Sequence, residues 1–162
     1  MNDRYNILFL CRENAARSII AEAYTNSIGK ERFQAFSAGQ APAGEIHPLT
    51  VDILETHGLS TTGMRSKSWD EFLRPDAPAM DFVISVCDKD AGEICPVWPN
   101  NPITARWNIT DPTLASPDEL HHAFIKALRE LETRIRLLMC LRLEGLDRLS
   151  LKRHIDSMDV DA

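Results

Sequence analysis

The sequence predicts a single α/β domain: a four-stranded parallel sheet with helices on both faces. Three observations lead there. Four short apolar runs, at 5–10, 33–37, 81–86 and 103–107, alternate with stretches whose apolar residues recur at helical spacing. Such alternation is how βαβ units read in sequence. The third run, Asp81-Phe82-Val83-Ile84-Ser85-Val86, is almost wholly apolar, as a central strand buried on both faces must be. The 162 residues suffice for one core and are short for two domains. Residues 1–142 read as that domain, and 143–162 as a C-terminal extension, partly helical and then frayed.

The elements follow in chain order. Residues 5–10 form the first strand. Ile19, Ile20, Ala23 and Tyr24 press one face of a helix, about 19–27, onto the sheet, and Gly29 stops it. Phe33 to Ser37 alternates and is the second strand, ending in Ala38-Gly39. Pro42 and Gly44 mark a loop. Leu49, Val51, Ile53 and Leu54 follow Pro48 in a helix that stops near Gly58. Ser68 N-caps a short helix, Trp69 to Leu73. The third strand delivers Cys87. Residues 88–103, rich in Asp, Gly, Pro and Asn, form an excursion of a length that usually carries function. After the fourth strand, Pro117-Asp118-Glu119-Leu120 opens a long helix reaching about Leu141. Its stripe is Phe124, Ala127, Leu128, Leu131, Ile135 and Leu138. A short helix near Leu146 to His154 precedes an acidic, irregular tail from Asp156.

Composition narrows the function. A net charge of -6 argues against a general nucleic-acid binder. No basic block suggests a membrane surface, and no apolar run is long enough to span a bilayer. The apolar stretch near the start is too short for a secretory signal, so the cytoplasm is the expected compartment. There the four cysteines, Cys11, Cys87, Cys95 and Cys140, are expected as thiols rather than structural disulfides. Neither they nor the five histidines are spaced as metal ligands, so no metal and no bound cofactor is expected. Cys140, between Met139 and Leu141 at the end of the long helix, reads as core.

The chemistry gathers in Cys11-Arg12-Glu13-Asn14-Ala15-Ala16-Arg17-Ser18, directly after the first strand and opening the first helix. A loop in that place aims backbone N–H groups at one point, and the helix dipole adds positive potential. Such a cradle suits a tetrahedral oxyanion. Arg17 can close on two of its oxygens with a planar fork. The same field favours the Cys11 thiolate. A nucleotide loop is excluded, because the Gly-Lys-Ser/Thr ending is missing.

The octet resembles the phosphate-binding loop of the low-molecular-weight protein tyrosine phosphatases and of the arsenate reductases built on the same fold. The resemblance continues through Phe36-Ser37-Ala38-Gly39, His47-Pro48, Ser66-Lys67-Ser68-Trp69, Val86-Cys87-Asp88, Cys95-Pro96 and Asp111-Pro112, covering about 5–141. It implies Cys11 as nucleophile, residues 12–18 as the anion loop, and Asp111 as the acid that protonates the leaving oxygen. It implies that Asn14 holds a left-handed turn and that the Ser18 hydroxyl donates to the thiolate. It also implies that Cys87 and Cys95 form a disulfide relay with Cys11, as in the reductases coupled to thioredoxin.

Two departures are visible. Glu13 stands where the family loop often has glycine or a small residue, and Ala15 where it often has serine. Thr113-Leu114 follow Asp111-Pro112, where tyrosine phosphatases carry aromatic residues that grip a phenyl ring. With three cysteines in family positions, the leading expectation is reduction of arsenate to arsenite, with thioredoxin as external reductant or glutaredoxin with glutathione in its place. The alternatives are a tyrosine or aryl phosphatase using Cys11, Arg17 and Asp111, and a non-catalytic oxyanion or redox sensor.

Overall fold

The computed structural model describes residues 4–89, 92, 98, 99 and 101–159. Its sheet is four-stranded and parallel: β1 (Tyr5–Cys11), β2 (Phe33–Gly39), β3 (Phe82–Cys87) and β4 (Ile103–Asn108), in the order β2-β1-β3-β4. Four α-helices accompany it: α1 (Arg17–Ile28), α2 (Pro48–Thr56), α3 (Leu120–Met139) and α4 (Arg148–Ser157). β1 and β3 are the inner pair, which is why both are apolar on each face. Ile7, Phe9, Phe82, Ile84 and Val86 pack with Ile19, Ile20, Leu128, Leu131 and Ile135 under the helices. Leu8, Leu10 and Val83 face the other way. They lie in a smaller cluster with Trp98, against which Trp69 and Phe72 of a 3-10 helix (Trp69–Phe72) pack.

Each boundary has a local cause. Ser68 accepts the Asp70 N–H at 3.1 Å and starts the 3-10 helix, as expected. The imidazole of His47 accepts the Leu49 N–H at 3.1 Å and caps α2. Gly58 takes the left-handed conformation, φ +74°, beyond the end of α2. Gly29 follows α1 for a different reason. Its φ is -115°, but a Cβ there would stand 2.7 Å from the Met139 sulfur. The end of α3 lies against it, and Arg32 donates to the Met139 and Leu141 carbonyls there.

The predicted stripe of α3 is buried throughout. Cys140 departs from expectation: it is exposed, not core. The helix ends at Met139, and Leu138 is the last member of the stripe, so the next inward position falls beyond the helix.

Side chains satisfy backbone groups on both sheet edges, beside a single backbone bridge from Gly39 to Ser68. On β2, the Asn26 amide donates to the Ala35 carbonyl and accepts its N–H, at 3.1 and 2.9 Å. On β4, α4 and the residues just after it supply the partners. Lys152 donates to the Thr104 carbonyl at 2.7 Å, Asp156 accepts the Arg106 N–H at 3.3 Å, and Asp159 accepts the Asn108 N–H at 2.9 Å. Sequence pattern placed Asp156 and Asp159 in an irregular tail. Helix continues through Ser157, and both carboxylates are anchored. Leu151 and Ile155 bury the other face of α4. Among the described residues, no helix is long and apolar enough to cross a membrane.

Candidate active site

The octet sits at the carboxyl end of β1, the place where parallel sheets bind ligands. Its carbonyls are held away from the interior one by one. Gln40 N–H donates to Cys11, Ala41 to Arg12, Ala43 to Glu13, His47 to Ala15 and Ile20 to Ala16, at 2.8–3.2 Å. Hydroxyls reinforce two of these, Ser66 on Glu13 at 3.1 Å and Thr50 on Ala15 at 2.8 Å. A loop whose carbonyls turn outward turns its N–H groups inward, which is the cradle an anion needs. The segment after β2 therefore acts as an outer rail for the octet. Gly39 makes that close approach possible: a Cβ there would meet the Arg12 carbonyl oxygen at 2.8 Å and Asn14 at 3.0 Å.

Cys11 is buried, with its sulfur 2.8 Å from Ser18 Oγ, and it accepts the Asn14 N–H at 3.2 Å. Asn14 holds φ +51°, a conformation asparagine tolerates better than most residues. Its side chain donates to Ser18 Oγ at 2.7 Å and to Ser37 Oγ at 3.0 Å, and accepts the Lys67 N–H at 2.9 Å.

Arg17 opens α1 and is buried. It donates to the carbonyls of Val86 and Ile109 at 3.5 and 3.3 Å, and its other terminal nitrogen lies 3.4 Å from Asp111 Oδ2. Asp111 caps a single 3-10 turn, Pro112–Leu114, accepting the Thr113 N–H at 3.0 Å and its hydroxyl at 2.7 Å. The Asp111 N–H donates to Asp88 Oδ2 at 2.7 Å. Cys11, Glu13, Ala15, Ala16, Arg17, Asp111 and Thr113 line one small pocket. A cavity of about 640 Å³ between β3, β4 and α4 is far larger, but neither Cys11 nor Arg17 lines it. Chemistry and not size picks out the candidate site.

Of the residues singled out from sequence, the structure thus brings Cys11, Asn14, Arg17, Ser18 and Asp111 together. Arg12 and Glu13 are exposed, with Glu13 on the pocket rim. Cys87 ends β3, next to β1, and is disulfide-bonded, whereas Cys11 and Cys140 are free. Paired side chains share a face, and Val86, not Cys87, lies under the helices with Phe9. Cys87 therefore leaves its strand on the face that carries the 3-10 helix Trp69–Phe72. Cys95 lies outside the described residues. Among the described residues no cluster could hold a metal ion.

Sequence reasoning missed Glu22, and it met Lys67 and Asp88 only within motifs, with no role assigned to either. Burial pushes the Glu22 carboxyl up, with the Ser37 hydrogen bond and Lys67 working against it. Burial likewise pushes the Lys67 ammonium down, opposed by Glu22. The available signal was that Ser18 and Glu22 stand four apart on one helix, so both face the loop.

A sequence model for the family described as low molecular weight phosphotyrosine protein phosphatase matches residues 6–153. The chain belongs to that family. This low molecular weight phosphatase-family protein is similar to the crystal structure of an arsenate reductase from Archaeoglobus fulgidus. The two are 31% identical with a TM-score of 0.67, over 82% of this chain and 97% of that one. It is also similar to a thioredoxin-dependent arsenate reductase of Corynebacterium glutamicum. That pair is 30% identical with a TM-score of 0.63, over 84% of this chain and 60% of that one. A glutaredoxin arsenate reductase of Synechocystis is 27% identical over 65% of this chain and 77% of its own length.

Proposed function

We propose that the chain reduces arsenate to arsenite at Cys11, with a disulfide relay through Cys87 and Cys95. The observation that carries the reading is a buried thiol in an oxyanion cradle, with Arg17 and Asp111 on the wall of the same pocket. Arsenate docks on the N–H groups of residues 12–18 and on Arg17. The Cys11 thiolate attacks arsenic, and Asp111 gives its proton to the departing oxygen, which leaves as water. The Cys87 thiolate then attacks the Cys11 sulfur. The pair of electrons in the sulfur–arsenic bond goes to arsenic, releasing arsenite and leaving a Cys11–Cys87 disulfide. Cys95 attacks Cys87, freeing Cys11, and an external dithiol reduces the Cys87–Cys95 disulfide.

The relay requires Cys87 to come around the end of β3 to reach Cys11. What it must loosen is visible. Ile109 N–H donates to the Cys87 carbonyl at 2.9 Å, Lys89 N–H to Asn108 Oδ1 at 3.0 Å, and Asp111 N–H to Asp88 at 2.7 Å. Thioredoxin is the reductant we favour, since the relay ends in a protein disulfide that a dithiol can open. Glutaredoxin with glutathione is the alternative, and the cytoplasm suits both.

Arsenite production with thioredoxin, thioredoxin reductase and NADPH tests this, with wild type beside Cys87→Ser and Cys95→Ser. Turnover in wild type, none in Cys87→Ser, and a single turnover in Cys95→Ser are expected. Full recycling in both variants would refute the relay. Hydrolysis of an aryl phosphate by all three proteins, without arsenite, would move the assignment to a phosphatase.

A further inference from the structure

Behind the octet, a set of hydrogen bonds has a direction that donor and acceptor chemistry fixes. The Lys67 backbone N–H points at Asn14 Oδ1, 2.9 Å away, and an N–H can only donate. Asn14 must therefore turn its NH2 to the other side, toward Ser18 Oγ at 2.7 Å and Ser37 Oγ at 3.0 Å. Each hydroxyl accepts there and sends its own proton onward. That of Ser37 goes to a Glu22 carboxylate oxygen. That of Ser18 is left for the Cys11 sulfur 2.8 Å away, which as a thiolate can only accept. The Lys67 ammonium closes the far end, 3.8 Å from Glu22, with the two side chains 10% and 17% exposed. Lys67 thus holds the set twice, through its backbone and through its charge.

We infer that Glu22 and Lys67 are positioning residues, whose ion pair locks Asn14 in the amide orientation that makes Ser18 donate to the Cys11 thiolate. The reversed amide would aim its NH2 at the Lys67 N–H and its oxygen at both serines. Ser18 would then donate to Asn14 instead of sulfur, Glu22 would lose its donor, and two buried donors would face each other. Only an ionised Glu22 enforces the order, because a protonated carboxyl competes with Ser37 as donor. Burial opposes the charge on both partners, so each keeps the other ionised. The other charges facing the pair are Arg65, on Glu22 and Lys67, and Glu71, on Lys67. Arg65 and Glu71 bind each other at 2.8 Å. Around Cys11 itself, the charged groups lining its pocket are Glu13, Arg17 and Asp111.

The inference rests on Cys11 being the nucleophile, but its readout needs no arsenate. Alkylation of Cys11 by iodoacetamide is followed across pH in the reduced full-length chain, by mass spectrometry of the Cys11 peptide. In Glu22→Gln and in Lys67→Met the pH–rate profile moves up by about one pH unit, a reaction about tenfold slower on its acid side. Lys67→Arg, which keeps the charge, stays with wild type. Ser37→Ala, which cuts the link with the ion pair intact, moves the profile in the same direction, and adding Glu22→Gln moves it no further. Unmoved profiles in both charge variants overturn the inference, as do fully additive shifts. If a charge variant does not fold, Ser37→Ala decides: an unmoved profile there also overturns it. A shift as expected in a chain that fails to reduce arsenate would sink the proposed reaction and leave this arrangement standing.

Discussion

Arg17 Nη2 and Asp111 Oδ2 stand 3.4 Å apart, with side chains only 3% and 9% exposed. The clamp and the acid are therefore one unit, reached from two chain segments almost a hundred residues apart. Arg17 is held independently by the Val86 and Ile109 carbonyls, so removing the Asp111 charge leaves it oriented. Asp111→Asn should retain oxyanion affinity and lower kcat by about 10²–10⁴-fold, the range for losing a positioned acid. Arg17→Lys should lose affinity as well, because a point charge replaces the fork. Calorimetric titration with arsenate, beside turnover, separates the two. Equal losses of affinity in both variants would count against the division of roles.

Gly39 is the hinge between the octet and its outer rail. Gly39→Ala should cost about 1–3 kcal/mol of stability through overpacking and abolish oxyanion binding. Its Cβ has backbone on two sides, at Arg12 and Asn14, and neither can yield cheaply. Gly145→Ala is the control, since nothing lies within 4 Å of that Cβ and its φ is ordinary. Thermal unfolding and phosphate titration of both variants read the difference. An anion loop still competent in Gly39→Ala would refute the close-approach argument.

The buried ion pair predicts a stability profile with an unusual sign. Burial raises the Glu22 carboxyl, so its contribution to stability is present below the unfolded value and is lost as pH rises through the folded one. Burial lowers the Lys67 ammonium, so its contribution is present above the unfolded value and lost as pH falls through the folded one. At neutral pH the fold bears both costs. The double variant Glu22→Gln/Lys67→Met should then be at least as stable as wild type at pH 7, while its Cys11 reacts more slowly. Denaturant midpoints across pH test this, and a large loss of stability at pH 7 would make the pair a structural one.

Asp159 joins the last helix to both α3 and β4: it pairs with Arg134 at 3.0 Å and accepts the Asn108 N–H at 2.9 Å. Asp159→Ala should destabilise the chain by about 2 kcal/mol, because the buried Arg134 guanidinium loses its nearer carboxylate and keeps only Glu130, 3.9 Å away. Asp156→Ala should cost about 1 kcal/mol, since its hydrogen bond from the Arg106 N–H and its pair with Lys152 are both exposed. Urea midpoints of the two variants give the ratio. Equal effects would mean that the Arg134 pair adds nothing to the hold of Asp159 on β4.

The four strands, the four helices and the stripe of α3 were legible, because each rests on local periodicity. So were Cys11, Asn14, Arg17 and Ser18, which lie within one octet. Cys140 was misread because its position relative to the stripe depends on where α3 ends, and Gly29 packs against that end. The pairing of Glu22 with Lys67 was not legible, because nothing in either local stretch tells that residues 45 positions apart meet. Asp88 was seen only as part of a motif; its grip on the Asp111 N–H needed the register of β3 against β4.

The sequence by itself determined which elements form and which octet carries the nucleophile, since both follow from spacing along one continuous segment. It also placed Asp111 after a strand end. Only the tertiary structure decided how the octet is kept open. The outward carbonyls, the space at Gly39 and the polarity of the Ser18 hydroxyl all depend on chain that returns from β2 and from the segment before Trp69. Hydrogen-bond direction is a property of partners, and partners are chosen when the sheet assembles.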